Sequence, residues 1–204
     1  DSVKSAVCAC PFCAGGVTLH EGVGENAGTD KVITMVSFSL ADSVHALGNI
    51  ENLVLSGSAA INATGNALDN IISGNAGANL LDGGDGIDTL DFGGMTRAAT
   101  VNLALTTAQA TGYGNDTILN FENIIGGSGT NTFIFEDQGG LDGYIDGAGT
   151  NILDYSAYTT AIHLDLSTMD VPHTGLVNGE PVTGYGVGYA TCVKGVNHIA
   201  GLIG

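Results

Sequence analysis

Residues 65–91 read GNALDNIIS, GNAGANLLD and GGDGIDTLD, three nine-residue units that follow one another without a gap. Each unit begins with six residues rich in Gly, Asn and Asp, and ends with three residues that have a large aliphatic side chain in the middle. Gly, Asn and Asp tolerate the backbone angles of a tight turn, whereas the aliphatic residue is typical of a short strand. The repeat therefore predicts turn–strand units that stack into a parallel β-solenoid, an all-β fold with Gly/Asn/Asp-rich turns.

The nine-residue spacing also makes predictions about the interior. The central aliphatic residues Ile72, Leu81 and Leu90 are expected to form one internal ladder, because equivalent positions of stacked units lie above one another. The turn carbonyls and the sixth side chain of each unit are expected to face the next turn. Their oxygen atoms are the ligands that calcium prefers.

The charge of the chain excludes some partners. Its 204 residues include 4 Lys plus Arg against 21 Asp plus Glu, which gives a formal net charge of -17. This charge repels nucleic acid and anionic membrane surfaces, and the sequence has no apolar run long enough to insert into a membrane. Divalent cations would relieve the repulsion among the carboxylates, and a solvated acidic surface is the alternative explanation.

The repeat pattern extends beyond the central stretch. Single units of the same type occur at 126–133 and 146–153, each without a neighbouring unit in the sequence. At a longer spacing, NIENL at 49–53 recurs as NFENI at 120–124. We therefore expect a Cys-containing N-terminal tail at 1–26 and a solenoid array at 27–204.

The third central unit matches the nonapeptide G-G-x-G-x-D-x-U-x at every fixed position. The chain thus resembles the RTX, or haemolysin-type calcium-binding repeat, superfamily, and in particular the repeat arrays of large bacterial adhesins and surface proteins. The resemblance implies a right-handed parallel β-roll or β-helix that is secreted unfolded and is folded by external calcium. It also implies an extracellular or cell-surface location.

The chain departs from the RTX pattern at the sixth position, where the family has the aspartate that binds calcium. Only the third unit has an acid there, and the others have a neutral amide. The resemblance therefore implies a few calcium ions, rather than a filled column, with ligands drawn from Gly77, Asn79, Gly84, Asp85, Gly86 and Asp88. In the other units, hydrogen-bonded asparagine ladders are the alternative to calcium, at Asn70, Asn131 and Asn151.

The four cysteines are unusual for such repeats. Cys8, Cys10 and Cys13 lie within six residues, and Cys192 stands alone. Disulfides, a thiol-bound metal and bridges between subunits are all compatible with this spacing. An extracellular location favours the disulfides.

No catalytic motif stands out, and paired acids alone would have to account for a polysaccharide-cleaving β-helix enzyme. Such an enzyme needs a basic substrate groove, which four Lys and Arg residues hardly supply. We therefore expect a structural protein rather than an enzyme, a calcium-binding segment that assembles into a homo-oligomer through its solenoid ends and N-terminal tail to form a fibre, adhesin or surface layer. The alternative is a calcium-folded binding or secretion module of a larger secreted toxin or enzyme.

Overall fold

The structure, a computed structural model, describes residues 28–46, 49–137, 143–147, 149–157 and 159 with their side chains, and additional strand segments by their backbone alone. The described part of the chain consists of strands, turns and irregular segments, without a helix. Accordingly, it contains no helix that could cross a membrane. The predicted all-β class is confirmed.

The strands are short and follow one another closely along the chain. In chain order the described strands are β1 (Ser5–Cys8), β2 (Leu19–His20), β3 (Lys31–Thr34), β4 (Phe38–Ser39), β5 (Ala46–Leu47), β6 (Asn52–Leu55), β7 (Ala63–Thr64), β8 (Ile71–Ser73), β9 (Leu80–Asp82), β10 (Thr89–Asp91), β11 (Thr100–Asn102), β12 (Gln109–Ala110), β13 (Asn115–Leu119), β14 (Asn123–Gly126), β15 (Thr130–Glu136), β16 (Tyr144–Gly147), β17 (Thr150–Ala157), β18 (Leu164–Asp165), β19 (His173–Val177), β20 (Glu180–Gly184), β21 (Gly188–Ala190), β22 (Val193–Val196) and β23 (Ile199–Ile203).

The chain forms two compact units. Unit 1 comprises residues 1–90 and 113–121, and unit 2 comprises residues 91–112 and 122–204. The chain thus leaves unit 1 after β10 and returns to it for β13.

Unit 1 is a parallel β-solenoid with two main sheets. One sheet stacks β1, β3, β6, β8 and β10 in parallel. The other stacks β4, β7, β9 and β13 in parallel. Because β1 pairs with β3, the first sheet already begins within the segment 1–26 that we expected to be a tail.

Successive nine-residue units alternate between these two sheets. Ile72 and Leu90 are register neighbours in the first sheet, whereas Leu81 pairs with Ala63 in the second. The prediction of a single ladder for Ile72, Leu81 and Leu90 is therefore wrong. One nine-residue unit is half a coil, because a turn and a three-residue strand carry the chain from one sheet to the other. Two units are needed before the chain returns above its starting point.

The core of unit 1 lies between the inward faces of its sheets. Leu53, Ile72 and Leu90 are fully buried in the first sheet, and Ala63 and Leu81 are buried in the second. Their burial contributes about 1.5–3 kcal/mol of stabilisation for each large aliphatic side chain.

Unit 2 is also built mainly from parallel strands. β11, β15, β17 and β23 form one parallel sheet, and β14, β16 and β22 are parallel neighbours in another. The exceptions are antiparallel: β18 and β22 both pair with β21, and β19 and β20 form a hairpin whose first strand lies against β23.

The two repeat units that stand alone in the sequence are stacked neighbours in unit 2. β15 and β17 bring Asn131 beside Asn151 and Phe133 beside Leu153. The rings of Phe135 and Tyr155 stack in the core, with centroids 4.5 Å apart and an interplanar angle of 11°. A separation of 20 residues in the sequence thus makes one complete coil in this sheet.

Candidate cation-binding turns

The turns of unit 1 form two rows, one on each side of the coil. We call the turns before β8 and β10 (65–70 and 83–88) the first row. We call the turns before β9 and β13 (74–79 and 113–116) the second row. The predicted ligands are divided between them: Gly84, Asp85, Gly86 and Asp88 lie in the first row, and Gly77 and Asn79 lie in the second.

Close backbone contacts define the stacking within each row. A Cβ atom added to Gly86 would lie 2.6 Å from the carbonyl oxygen of Leu68, so these two turns of the first row are in contact. In the second row, a Cβ atom on Gly114 would lie 2.1 Å from the carbonyl oxygen of Gly77. Side chains at these glycines would separate the turns. The nearest turn in space is therefore one full coil away, and not the next unit in the sequence.

In the first row, Asn70 closes its turn with its own amide group. Asn70 is fully buried, and its Oδ1 accepts a hydrogen bond from the backbone N–H of Asn66 at 2.7 Å. Its Nδ2 donates to the carbonyl oxygens of Ile50 and Glu51 in the preceding coil, at 3.3 and 3.2 Å. The side-chain amide thus satisfies backbone groups of two successive coils.

Asn79 has the same role in the second row. Its Oδ1 accepts from the backbone N–H of Asn75 at 3.0 Å, and its Nδ2 donates to the carbonyl oxygen of Ile61 at 2.7 Å. Nδ2 also donates to Oδ1 of Asn75 at 3.0 Å, and Asn66 accepts in the same way from Asn70 at 3.2 Å. Asn at positions two and six therefore closes a turn without an ion. This is the arrangement that the asparagine-ladder alternative predicted for Asn70.

The next turn in each row has an aspartate instead. Oδ1 of Asp88 accepts a hydrogen bond from the backbone N–H of Asn70 at 2.8 Å, across 18 residues. Oδ1 of Asp116 accepts from the backbone N–H of Asn79 at 2.9 Å, across 37 residues. Both aspartates are buried, with 0% and 2% of their surface exposed. The two rows thus repeat the same Asn-then-Asp order.

The change from Asn to Asp alters the chemistry of the turn. An ionised carboxylate only accepts hydrogen bonds, whereas the amide of Asn70 or Asn79 also donates to carbonyl oxygens. The Asp turn at 83–88 also has Gly at position two, where Gly84 has a φ angle of +99°. A carboxylate next to backbone carbonyls is an oxygen-rich environment that suits a hard cation such as calcium.

Asp116 is a candidate ligand that our sequence analysis missed. Its signal was present, because Gly112, Gly114 and Asp116 have the spacing of positions two, four and six of the nonapeptide. Thr111 replaces the first glycine, and the unit is separated from the central repeats by residues 92–110. Because of these two departures, the sequence analysis did not recognise the repeat unit that contains Asp116.

In unit 2 the buried sixth-position side chains are amides. Nδ2 of Asn131 donates to the carbonyl oxygen of Gly127 and to Oδ1 of Asn151, both at 2.9 Å. Oδ1 of Asn131 accepts from the backbone N–H of Ala99 at 3.1 Å. Asn131 and Asn151 are fully buried and therefore form a hydrogen-bonded ladder.

Gly84 and Asp85 also line an open cleft on unit 1. The cleft has a volume of about 440 Å³, and Asp82 and Asn120 contribute to its wall. Nδ2 of Asn120 donates to Oδ1 of Asp82 at 2.7 Å. Asp85 is exposed at this cleft, unlike the buried Asp88.

The four cysteines predicted as candidates for disulfides or a thiol-bound metal give no information on metal binding. Cys8 lies in β1, which is described by its backbone alone, and Cys10, Cys13 and Cys192 lie outside the described residues. Among the residues that the structure describes, no three His, Cys, Asp or Glu side chains cluster as ligands for a metal. Calcium also accepts backbone carbonyl, side-chain amide and water oxygens as ligands.

Comparisons with known proteins found no match: no model of a known protein family, no curated protein and no solved structure is significantly similar to the chain.

Proposed function

We propose that this protein is a calcium-stabilised structural segment of an extracellular assembly. The observation that carries the proposal is the order of side chains in the two rows of unit 1, where a turn closed by a buried Asn is followed by a turn with a buried Asp. Calcium bound beside Asp88 and Asp116 takes over the role that the amide N–H groups have beside Asn70 and Asn79.

The acidity of the chain supports the same role for calcium. The formal net charge of -17 opposes compaction, and each bound Ca²⁺ offsets two negative charges. Extracellular fluid supplies calcium at concentrations that suit weak, oxygen-rich sites. Such a chain therefore stays extended where calcium is scarce and folds where calcium is abundant.

The proposed assembly is end to end. β1 is the first strand of its parallel sheet, and β3 pairs with one of its edges. A parallel sheet edge can accept a strand from another chain, so a second copy of this protein is the partner that we propose for it. In that arrangement, Cys8, Cys10, Cys13 and Cys192 are candidates for disulfides or thiol–metal links that strengthen the joint.

A second candidate function follows from unit 2. β19 of the antiparallel hairpin lies against β23, which is the last strand of its parallel sheet. A hairpin in that place protects a sheet edge, and this favours a monomeric, calcium-folded module of a larger secreted protein. This is our second candidate function. We propose catalytic activity under neither of the two candidate functions.

Light scattering and negative-stain microscopy of the purified chain separate the two candidates. The samples contain either calcium or a chelator, without a reducing agent, and circular dichroism measures folding in parallel. Calcium-dependent folding together with filaments or multimers is the expected result. A calcium-folded monomer would favour the secreted module, and a chain that folds equally well in chelator would refute the role of calcium.

A further inference from the structure

The first row of unit 1 continues into a region without nonapeptide repeats. In the sheet that contains β3, β6, β8 and β10, the residue directly before each strand lies in register with the others. These residues are Asp30, Glu51, Asn70 and Asp88. The column thus begins with two adjacent acids.

Glu51 has the same relationship to Asp30 as Asp88 has to Asn70. Oε2 of Glu51 accepts a hydrogen bond from the backbone N–H of Asp30 at 2.8 Å, the same length as the bond from Asn70 to Asp88. In addition, Gly28 lies two residues before Asp30 with a φ angle of +84°, as Gly86 lies two residues before Asp88 with a φ angle of +127°. The two positions thus share a glycine with a positive φ angle two residues before the acid.

Asp30 is an acid at a position where Asn70 is an amide. Asp30 is only 5% exposed, and its Oδ1 is buried without a hydrogen-bond partner. Within the described part of the chain, no cationic side chain forms an ion pair with Asp30 or Glu51. Lys31 lies on the opposite face of β3, because Val32 and Thr34 are the buried residues of that strand.

A buried carboxylate oxygen without a hydrogen-bond partner, such as Oδ1 of Asp30, is unfavourable unless a cation or a donor satisfies it. A divalent cation with oxygen ligands satisfies it. The N–H···Oε2 bond places the carboxylate of Glu51 beside the backbone of Asp30.

We propose that Asp30 and Glu51 hold a calcium ion at the β3 end of the first row. This inference rests on the proposed role of calcium and extends it to a coil that has no repeat motif. Backbone carbonyl oxygens and water complete the coordination, as is common for calcium. The site ties the segment that begins at β3 to the repeat coils.

Calorimetric titration of the full-length chain with Ca²⁺ tests the proposal through the number of ions bound. Asp30→Asn and Glu51→Gln are each expected to bind one calcium fewer than the wild type. Asp42→Asn is the matched control, because Asp42 is an exposed acid of the same unit with no contact to the rows of turns. It is expected to bind as many ions as the wild type.

The outcomes distinguish this proposal from the proposed function. If Asp30→Asn and Glu51→Gln keep the full number of ions while Asp88→Asn loses one, the site at Asp30 is refuted and the proposed function stands. If the wild type binds no calcium, both are refuted.

A measurement on the wild type covers the case in which a variant does not fold. The backbone N–H of Asp30 is hydrogen-bonded to a proposed ligand, so its NMR signal is expected to shift during a calcium titration. A signal that does not respond, while signals around Asp88 do, would refute the site.

Discussion

Replacing Asp88 with Asn should stabilise the protein in the absence of calcium, and calcium should reduce this difference from the wild type. Asn at this position keeps the Oδ1 that accepts the N–H of Asn70, and it gains an Nδ2 group that donates hydrogen bonds. By the register of the sheet, the new donor faces the backbone of residues 69 and 70, as Nδ2 of Asn70 faces the backbone of residues 50 and 51. Asp88→Asn thus copies the amide-closed turn.

The magnitude follows from the two contacts that change. One or two new hydrogen bonds contribute about 0.5–1.5 kcal/mol each, and removal of a buried carboxylate avoids a desolvation penalty of about 1–3 kcal/mol. We therefore expect the variant to be more stable than the wild type by about 1.5–6 kcal/mol in chelator. In calcium at about 100 times its Kd, the wild type gains about 2.7 kcal/mol for the site that the variant lacks. The stability advantage of the variant is then expected to shrink by about that amount.

Urea unfolding at pH 7, followed by circular dichroism in chelator and in calcium, measures both differences. Asp88→Ala is the control, because it removes the acceptor for Asn70 and introduces no donor. It is expected to be less stable than Asp88→Asn in both conditions. If Asp88→Asn is no more stable than the wild type in chelator, the equivalence of the Asn and Asp turns is refuted.

Three other predictions concern single contacts. Gly114→Ala is expected to lower the free energy of unfolding by at least about 1 kcal/mol, because its Cβ would lie 2.1 Å from a backbone oxygen. Gly94→Ala is the control and is expected to be neutral, because its Cβ would have no atom within 4 Å. Equal effects of the two substitutions in urea unfolding would contradict this. Asn131→Asp is expected to cost about 3 kcal/mol in chelator, since it replaces a fully buried amide donor with a carboxylate; thermal unfolding measures the loss, and wild-type stability would contradict it. The hydrogen bond from His45, followed by that from the N–H of Val44, lowers the pKa of Asp42 from its ordinary value of 3.8. The contribution of Asp42 to stability is therefore present above its unfolded-state pKa and is lost as the pH falls through its lower folded-state pKa. Carboxyl NMR titration of the wild type and of His45→Ala, in which the pKa should return toward 3.8, checks this sign.

Much of the fold could be predicted from the central repeats, because each nine-residue unit encodes both its turn and its strand. The sheet to which a strand belongs could not be predicted, since the same unit serves both sheets. Ile72 and Leu81 have equivalent sequence surroundings, and only the closure of the full coil separates them. A periodic sequence therefore defines the local element more strongly than it defines the spatial neighbour.

The candidate site was predicted in part. Asp88 was identified because its unit matches the repeat at every position, whereas Asp116 and Asp30 were not, because their turns depart from the motif in sequence. What these positions share is a buried acid, and the carboxylate of Asp116 accepts a hydrogen bond from the backbone of an adjacent coil. That relationship depends on register, and register is set by residues that are distant along the chain.

The path of the chain through β13 has a consequence for folding during synthesis. Unit 1 consists of residues 1–90 and 113–121, so its last strand is made only after residues 91–112. A nascent chain that ends at Leu90 lacks Asp116 and the strand that pairs with β9, and its second sheet therefore stops one strand short. Unit 1 is therefore complete only after residues 91–112 of unit 2 have been synthesised. A chain that emerges from its N-terminus must expose about thirty residues beyond β10 before unit 1 can close. A fragment that contains the whole of unit 1 as one chain therefore also contains residues 91–112 of unit 2.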